Sequence, residues 1–275
     1  MVNIFYSYTQ NGPGKVLNNL KKGLNQLGIE YAENTMQYEF NIFLSLTPDI
    51  IKCDLKKTIV GPNIGFDNTM IQEQKYKLYI APSKWTKDLF VQKVGLKEEK
   101  IFIWPVGIDT QKFNQLPSNK IYDFLIYFKR RDRNELRKVI EFLNKKNKTF
   151  TIIEYGHYDE NSFIESISNS KYGIVIDGTE SQGIAIQEMM SCNLPLLVWD
   201  VEYWNDMGDS FKCVATSVPY FDDRCGIKFY SIEEIEEKYK IFITGKYSPR
   251  EFILEKLSLK KTTSSLIEIL NINIK

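Results

Sequence analysis

Three short stretches of this 275-residue sequence carry residue types that can do chemistry. The richest is Gly178-Thr179-Glu180-Ser181-Gln182-Gly183-Ile184-Ala185-Ile186-Gln187-Glu188, which follows the apolar run Tyr172–Asp177. Glu180 would sit in a loop at the end of a strand, and Glu188 about one turn into the next helix. A carboxylate there can accept two hydrogen bonds from a vicinal diol such as a ribose. The amides around Gln182–Ile184 fall at a helix start, where the first N–H groups lack intrahelical acceptors. Spacing alone leaves a surface-helix reading ahead. The second stretch is Lys129-Arg130-Arg131-Asp132-Arg133, directly after the apolar run Tyr122–Phe128. Its cations form a local positive pole suited to a pyrophosphate, or equally a solvated helix start. The third, Asn11-Gly12-Pro13-Gly14-Lys15, lies between a strand and a helix, and Gly14 there would let a ligand approach the backbone. It is neither a dinucleotide fingerprint nor a P-loop, so nicotinamide and ATP are not indicated. An ordinary turn fits it as well.

Composition narrows the chemistry. The formal charge of +1, from 36 Lys+Arg and 35 Asp+Glu, excludes a global electrostatic grip on nucleic acid, so any basic site is local. The single histidine, His157, cannot build a His-rich metal site, and a loop position without chemistry suits it best. Cys53, Cys192, Cys213 and Cys225 show no C-x-x-C spacing. No Asp-x-Asp pair occurs, and the expectation is no resident metal and no cofactor. No window is apolar enough to span a membrane, which leaves peripheral contact open. The start Met-Val-Asn-Ile-Phe-Tyr shows no leader, and a reduced, cytoplasmic chain is expected.

These residues need elements to hold them. Short apolar runs alternate with helix-period stretches, the βαβα signal of parallel sheets. Strands are expected at Val2–Tyr6, Ile42–Leu46, Thr58–Val60, Leu78–Ala81 and Ile101–Trp104, then at Tyr122–Phe128, Thr149–Tyr155, Tyr172–Asp177 and Leu194–Trp199. Helices are expected at Lys15–Leu27, after the cap Ser83, and at Asn134–Asn144, Glu160–Ser168 and Ile184–Cys192. The polar stretch from Gly107 to Lys120 reads as a linker, with the boundary near residue 116. The expected class is α/β: two Rossmann-like parallel-sheet domains, 1–115 and 116–275, facing a cleft. The C-terminal stretch Leu254–Leu270 would pack back on the body. Ligands in such sheets bind at the carboxyl ends of the strands.

In this setting the run Glu180-Ser-Gln-Gly-Ile-Ala-Ile-Gln-Glu188-Met-Met-Ser-Cys-Asn-Leu-Pro resembles the Glu-x₇-Glu region of retaining GT-B glycosyltransferases, the group 1-like family. Asn11–Val16, Ala81-Pro82-Ser83-Lys84-Trp85 and Pro105-Val106-Gly107-Ile108-Asp109 are similar to further stretches in the family's order. Lys129 and Arg131 stand where the family places its basic pair. The resemblance implies Glu180 beside the transferred sugar, and Ser181, Gln182, Gly183 and Ile184 giving amides to sugar and phosphates. It implies Glu188 on the ribose and Lys129 with Arg131 on the leaving diphosphate, Arg130 being a further member. Gly14 would belong to the amino-terminal glycine loop. Tyr155 or Tyr158 would stack on the base or else pack in the core. Trp199, Tyr203, Trp204 and Tyr220 would touch sugars or fill the core.

The implied activity is metal-independent, retaining transfer of a hexose from a UDP- or GDP-type nucleotide sugar to a glycan, protein or lipid-linked acceptor. The alternative is a nucleotide-sugar-binding module without turnover. The chain departs from the family in its short amino-terminal domain and in lacking the histidine that many relatives place in that half.

Overall fold

Buried apolar runs and amphipathic stretches fold the chain as two parallel α/β units, seen in a computed structural model that describes residues 2–7, 9–35, 40–45, 47–65, 75–115, 119–204 and 212–273. One unit comprises Met1–Gly107 with Lys256–Lys275, the other Ile108–Glu255. The expected boundary near residue 116 lies outside the described residues, as does Leu46.

The first unit carries β1 (Val2–Phe5), α1 (Asn11–Gln26), β2 (Tyr31–Glu33), β3 (Phe40–Phe43), β4 (Thr58–Val60), β5 (Leu78–Ala81), α2 (Lys84–Leu89) and β6 (Ile101–Ile103). Its sheet runs β2-β1-β3-β4-β5-β6, every neighbouring pair parallel. The face of α1 that meets the core presents Val16, Leu17, Leu20 and Leu24, a helical period read from the sequence. Ser83 caps α2, and its N–H donates to Thr86 Oγ1 at 3.1 Å.

The second unit carries β7 (Tyr122–Lys129), α3 (Arg133–Lys145), β8 (Phe150–Glu154), α4 (Glu160–Ser168), β9 (Ser170–Asp177), α5 (Ile184–Ser191), β10 (Leu196–Trp199), the hairpin pair β11 (Tyr203–Trp204) and β12 (Cys213–Val214), β13 (Gly226–Phe229) and α6 (Ile235–Thr244). The sheet order is β13-β10-β9-β7-β8, all parallel. That is the flavodoxin-like winding, whose direction of growth reverses between β7 and β9. Strands buried on both faces need nearly continuous apolar sequence, as Phe124–Phe128 and Ile174–Ile176 supply. Phe124, Ile126 and Phe128 pack one face with Leu136, Val139 and Leu143 of α3 and with Tyr239 and Phe242 of α6. Alternation turns Leu125, Tyr127 and Lys129 to the opposite face, where Tyr127 meets Phe163 of α4.

The last helices, α7 (Pro249–Lys256) and α8 (Leu259–Asn273), follow. In the first unit α8 packs on α1, and Trp104 Nε1 donates to Thr262 O at 2.9 Å. No helix among the described residues is long and apolar enough to cross a membrane.

Arg250 ties the entry of the second unit to the end of α5, donating to Thr110 O (3.1 Å), Phe113 O (3.1 Å) and Ser191 O (2.5 Å). Arg250→Met leaves three carbonyls without their charged donor and should cost about 2–3 kcal/mol, read as a lower urea midpoint at unchanged m.

Candidate functional site

The reversal between β7 and β9 leaves a crevice at the carboxyl ends of two strands, and Lys129 and Asp177 are the register-paired last residues there. Gly178 N–H donates to Lys129 O at 3.1 Å, which closes the two ends together. Beyond Lys129 the chain turns through Arg130 at φ +49°, a left-handed conformation that is uncommon outside glycine. Beyond Asp177 the loop brings Glu180 back, and its N–H donates to Thr216 O at 3.1 Å.

Glu180 is the electrostatic centre. Lys129 Nζ donates to its Oε1, as does Arg130 Nη2 at 3.1 Å. Lys129 and Glu180 are buried, whereas the Arg130 side chain is 61% exposed. Burial works against ionisation of Glu180, but Lys129, Asp177 and Arg130 together outweigh it, so the carboxyl sits below its usual range. The Lys129 ammonium also lies 4.2 Å from the centroid of the half-exposed Tyr155 ring, in cation–π contact. Asp177 is pushed well above the carboxylate range, by burial and then by the Glu180 charge.

The loop before α5 is built to hold a fixed backbone. Gly183 adopts φ +79° as the helix N-cap, a conformation that strains side-chain-bearing residues. Gln187 Nε2 donates to Gln182 O (2.7 Å), and Gln182 Nε2 donates back to Gln187 Oε1 (3.2 Å), pinning the loop on the first turn of α5. Ser181 is exposed, Ile184 is half-buried and Glu188 is buried one turn further on.

Behind the loop stands a strap after β12. Asp200, at the end of β10, accepts from Ser217 N–H (2.6 Å), Val201 N–H (2.9 Å), Thr216 Oγ1 (2.7 Å) and Lys228 Nζ (2.8 Å). Ser217 Oγ in turn donates to Asp177 O at 2.9 Å. Asp200, Gln187 and Asp177 escaped the sequence reading. Their partners are distant in sequence or hidden inside a helix that reads as merely amphipathic.

Several expected residues stand elsewhere. Arg131 turns away from Glu180. Its guanidinium forks onto Glu135 (2.6 Å twice), donates to Asp177 O and Trp199 O, and lies 5.1 Å from the Trp199 ring centroid. The left-handed turn at Arg130 exchanges the roles of neighbours: Arg130 meets Glu180, and Arg131 clamps strand ends. The stretch Asn11–Lys15, expected as a loop ahead of a helix from Lys15, is the first turn of α1. Gly14 belongs to the first unit, and a Cβ there would fall 2.2 Å from Thr9 O, so close backbone packing accounts for its glycine. Tyr158 packs 5.0 Å from Phe163 with its hydroxyl near Tyr127, and burial pushes that hydroxyl up to about 12. Trp199 stacks on Phe229 at 5.5 Å as core, while Tyr203 is exposed and Trp204 buried. His157 sits in an exposed turn. Among the described residues no three His, Cys, Asp or Glu side chains converge as a metal would require.

The sequence matches no protein-family model and no curated protein. Solved structures do match. Sucrose-phosphate synthase from Thermosynechococcus elongatus superposes with a TM-score of 0.63 at 9% identity, covering 98% of each chain. Anabaena HepE in complex with UDP gives 0.62 at 12% identity, over 98% of this chain and 99% of that one. A glycosyltransferase from Rickettsia africae gives 0.61 at 13% identity, over 100% and 98%. The chain has the GT-B fold. In that fold the candidate site falls wholly within the second unit, around the ends of β7 and β9.

Lys129→Met should destabilise this GT-B chain by about 3 kcal/mol at neutral pH, because the buried Glu180 charge loses its buried cation while Arg130 stays largely in solvent. In the wild type Glu180 titrates below its ordinary 4.5, so its contribution is complete above that value and is lost as pH falls through the depressed folded pKa. The gap between wild type and variant in urea denaturation should therefore be widest at neutral pH and close in acid. A gap constant with pH contradicts the assignment.

Proposed function

We propose that the chain transfers a hexose from a UDP- or GDP-type nucleotide-diphosphate sugar to a glycan-type acceptor, with retention of anomeric configuration and without a metal. The observation that carries this is the pair of cations, Lys129 and Arg130, gathered on Glu180 at the β7/β9 crevice. A diphosphate leaving group needs its growing negative charge met in the transition state, and fixed cations do so without reorganising. Arg130 is exposed and can swing from Glu180 to an arriving diphosphate, while Lys129 remains. Arg131 holds the strand ends that aim them.

In this reading Glu180 lies beside the transferred sugar. The backbone of Ser181, Gln182, Gly183 and Ile184 binds sugar and phosphate oxygens, and Glu188 takes the ribose hydroxyls. Tyr155, rather than the packed Tyr158, offers a ring face for the nucleotide base. The UDP named for Anabaena HepE, which shares the fold, supports a uridine nucleotide among the candidates. A cytoplasmic setting fits a donor of this kind.

The test is a thermal-shift and turnover screen with UDP- and GDP-sugars and glycan acceptors, with and without EDTA. A true donor at a hundredfold excess over its Kd should stabilise the fold by about 2.7 kcal/mol. Arg130→Ala should lower transfer about a hundredfold, and Glu180→Ala should abolish it, with EDTA having no effect. Failure of every nucleotide sugar to bind, or full activity of Glu180→Ala, sinks the proposal. Binding without transfer to any acceptor would make the chain a nucleotide-sugar-binding module instead.

A further inference from the structure

Asp177 is fully buried at the end of β9, and neither of its Oδ atoms has a hydrogen-bond donor. The neighbouring strand shows how this protein supplies donors to a buried aspartate. Asp200, at the end of β10, collects two backbone N–H groups, a hydroxyl and the Lys228 ammonium. Asp177 has none of these, although it stands beside Lys129 in register. The Lys129 ammonium goes to Glu180 instead. Arg131 and Ser217 both hold its carbonyl, so the backbone that carries the carboxyl is fixed. A buried carboxylate without donors is strongly disfavoured as an anion, but as a neutral acid it needs only an acceptor. Glu180, three residues on and held by the same Lys129 that stands beside Asp177 in register, is the acceptor the site offers, and its charge adds to burial in raising Asp177.

We propose that Asp177 is a positioning residue of this site, kept as the neutral acid, whose proton is donated to Glu180 so that the two carboxyl groups share one proton and one negative charge against Lys129 and Arg130. The O–H bond stays on Asp177, the lone pair that receives it is on Glu180, and no other proton source is involved. The groups around the pair fit, and Arg131, which holds the Asp177 carbonyl, has its charge met by Glu135. Lys129 and Arg130 favour the single charge, and burial with mutual repulsion opposes a second. The hydroxyls of Tyr127 and Tyr158 stand nearby as neutral phenols, raised by burial, and Tyr155 meets Lys129 through its ring. One shared negative charge against two cations leaves the crevice with one net positive charge for an anionic ligand. Ionisation of Asp177 would cancel it. That consequence rests on the donor-site reading above; the shared proton does not.

Two measurements test this separately. Infrared spectra of the ligand-free wild type in neutral buffer should show the carbonyl stretch of a buried protonated carboxyl. The band should bleach as pH is raised and be absent from Asp177→Asn. A wild type without the band overturns the proposal. Calorimetric titration with UDP is the second measurement. Wild-type affinity should fall roughly fivefold as pH rises through the titration of the pair, as one local charge is lost. Asp177→Asn, whose amide can donate as the acid does, should lose that pH dependence and bind more tightly than Asp177→Ala, which cannot donate. An Asn variant with the wild-type pH dependence overturns the proposal. The infrared band without any UDP binding would instead overturn the donor-site reading and leave the shared proton standing.

Discussion

The buried contact between Lys129 and Glu180 is the constraint around which the second unit is arranged. Taking two such ions out of water costs several kcal/mol each, and their attraction offsets this only when the geometry is held. The holding is visible on every side. The apolar strands Phe124–Phe128 and Ile174–Ile176 fix where the two chain ends emerge. Gly178 N–H ties one end to the other, and Thr216 and Ser217 brace the loop from behind through their attachment to Asp200. A core of this kind, with each fully buried large side chain contributing about 1.5–3 kcal/mol, can absorb the cost of a charged crevice.

The same constraint explains the division of labour among consecutive arginines. A strand that ends in a left-handed residue redirects the chain by a sharp step, so Arg130 and Arg131 leave it on different courses. One reaches the crevice and stays largely in solvent. The other lies over Trp199 and is neutralised by Glu135, in the first turn of α3. The crevice thus keeps one exposed cation, Arg130, beside the buried Lys129.

The two ends of the neighbouring strands β9 and β10 use aspartate in opposite ways. Asp200 is saturated with donors and serves as a structural anchor, while Asp177 has none and is stabilised by staying neutral. Both depend on the same strap, and so the chemistry of the crevice and the packing behind it are coupled. The first unit shows a simpler economy: Gly14 is glycine because Thr9 lies against it, and Trp104 anchors α8 through one hydrogen bond.

The α/β class was legible in the sequence, because two-faced buried strands demand continuous apolar runs and crossover helices demand a 3.6-residue period. So were the neighbourhoods of Glu180, Lys129 and Gly183, since strand ends and helix starts leave local signatures. Residues 203–204 and 212–229 carry no comparable period, and the β11–β12 pair, β13 and the strap between them lay outside the expected elements. Local pattern likewise could not tell Arg130 from Arg131, or Asp177 from Asp200. Which cation faces the crevice depends on one backbone dihedral, and which aspartate is supplied with donors depends on segments 16 and 28 residues away. Sequence alone set the periodicity and so the elements. Only tertiary structure decided the protonation and partnership of the buried charges, because a charge in a low-dielectric interior is governed by the few atoms within hydrogen-bonding distance, whatever their place in the chain.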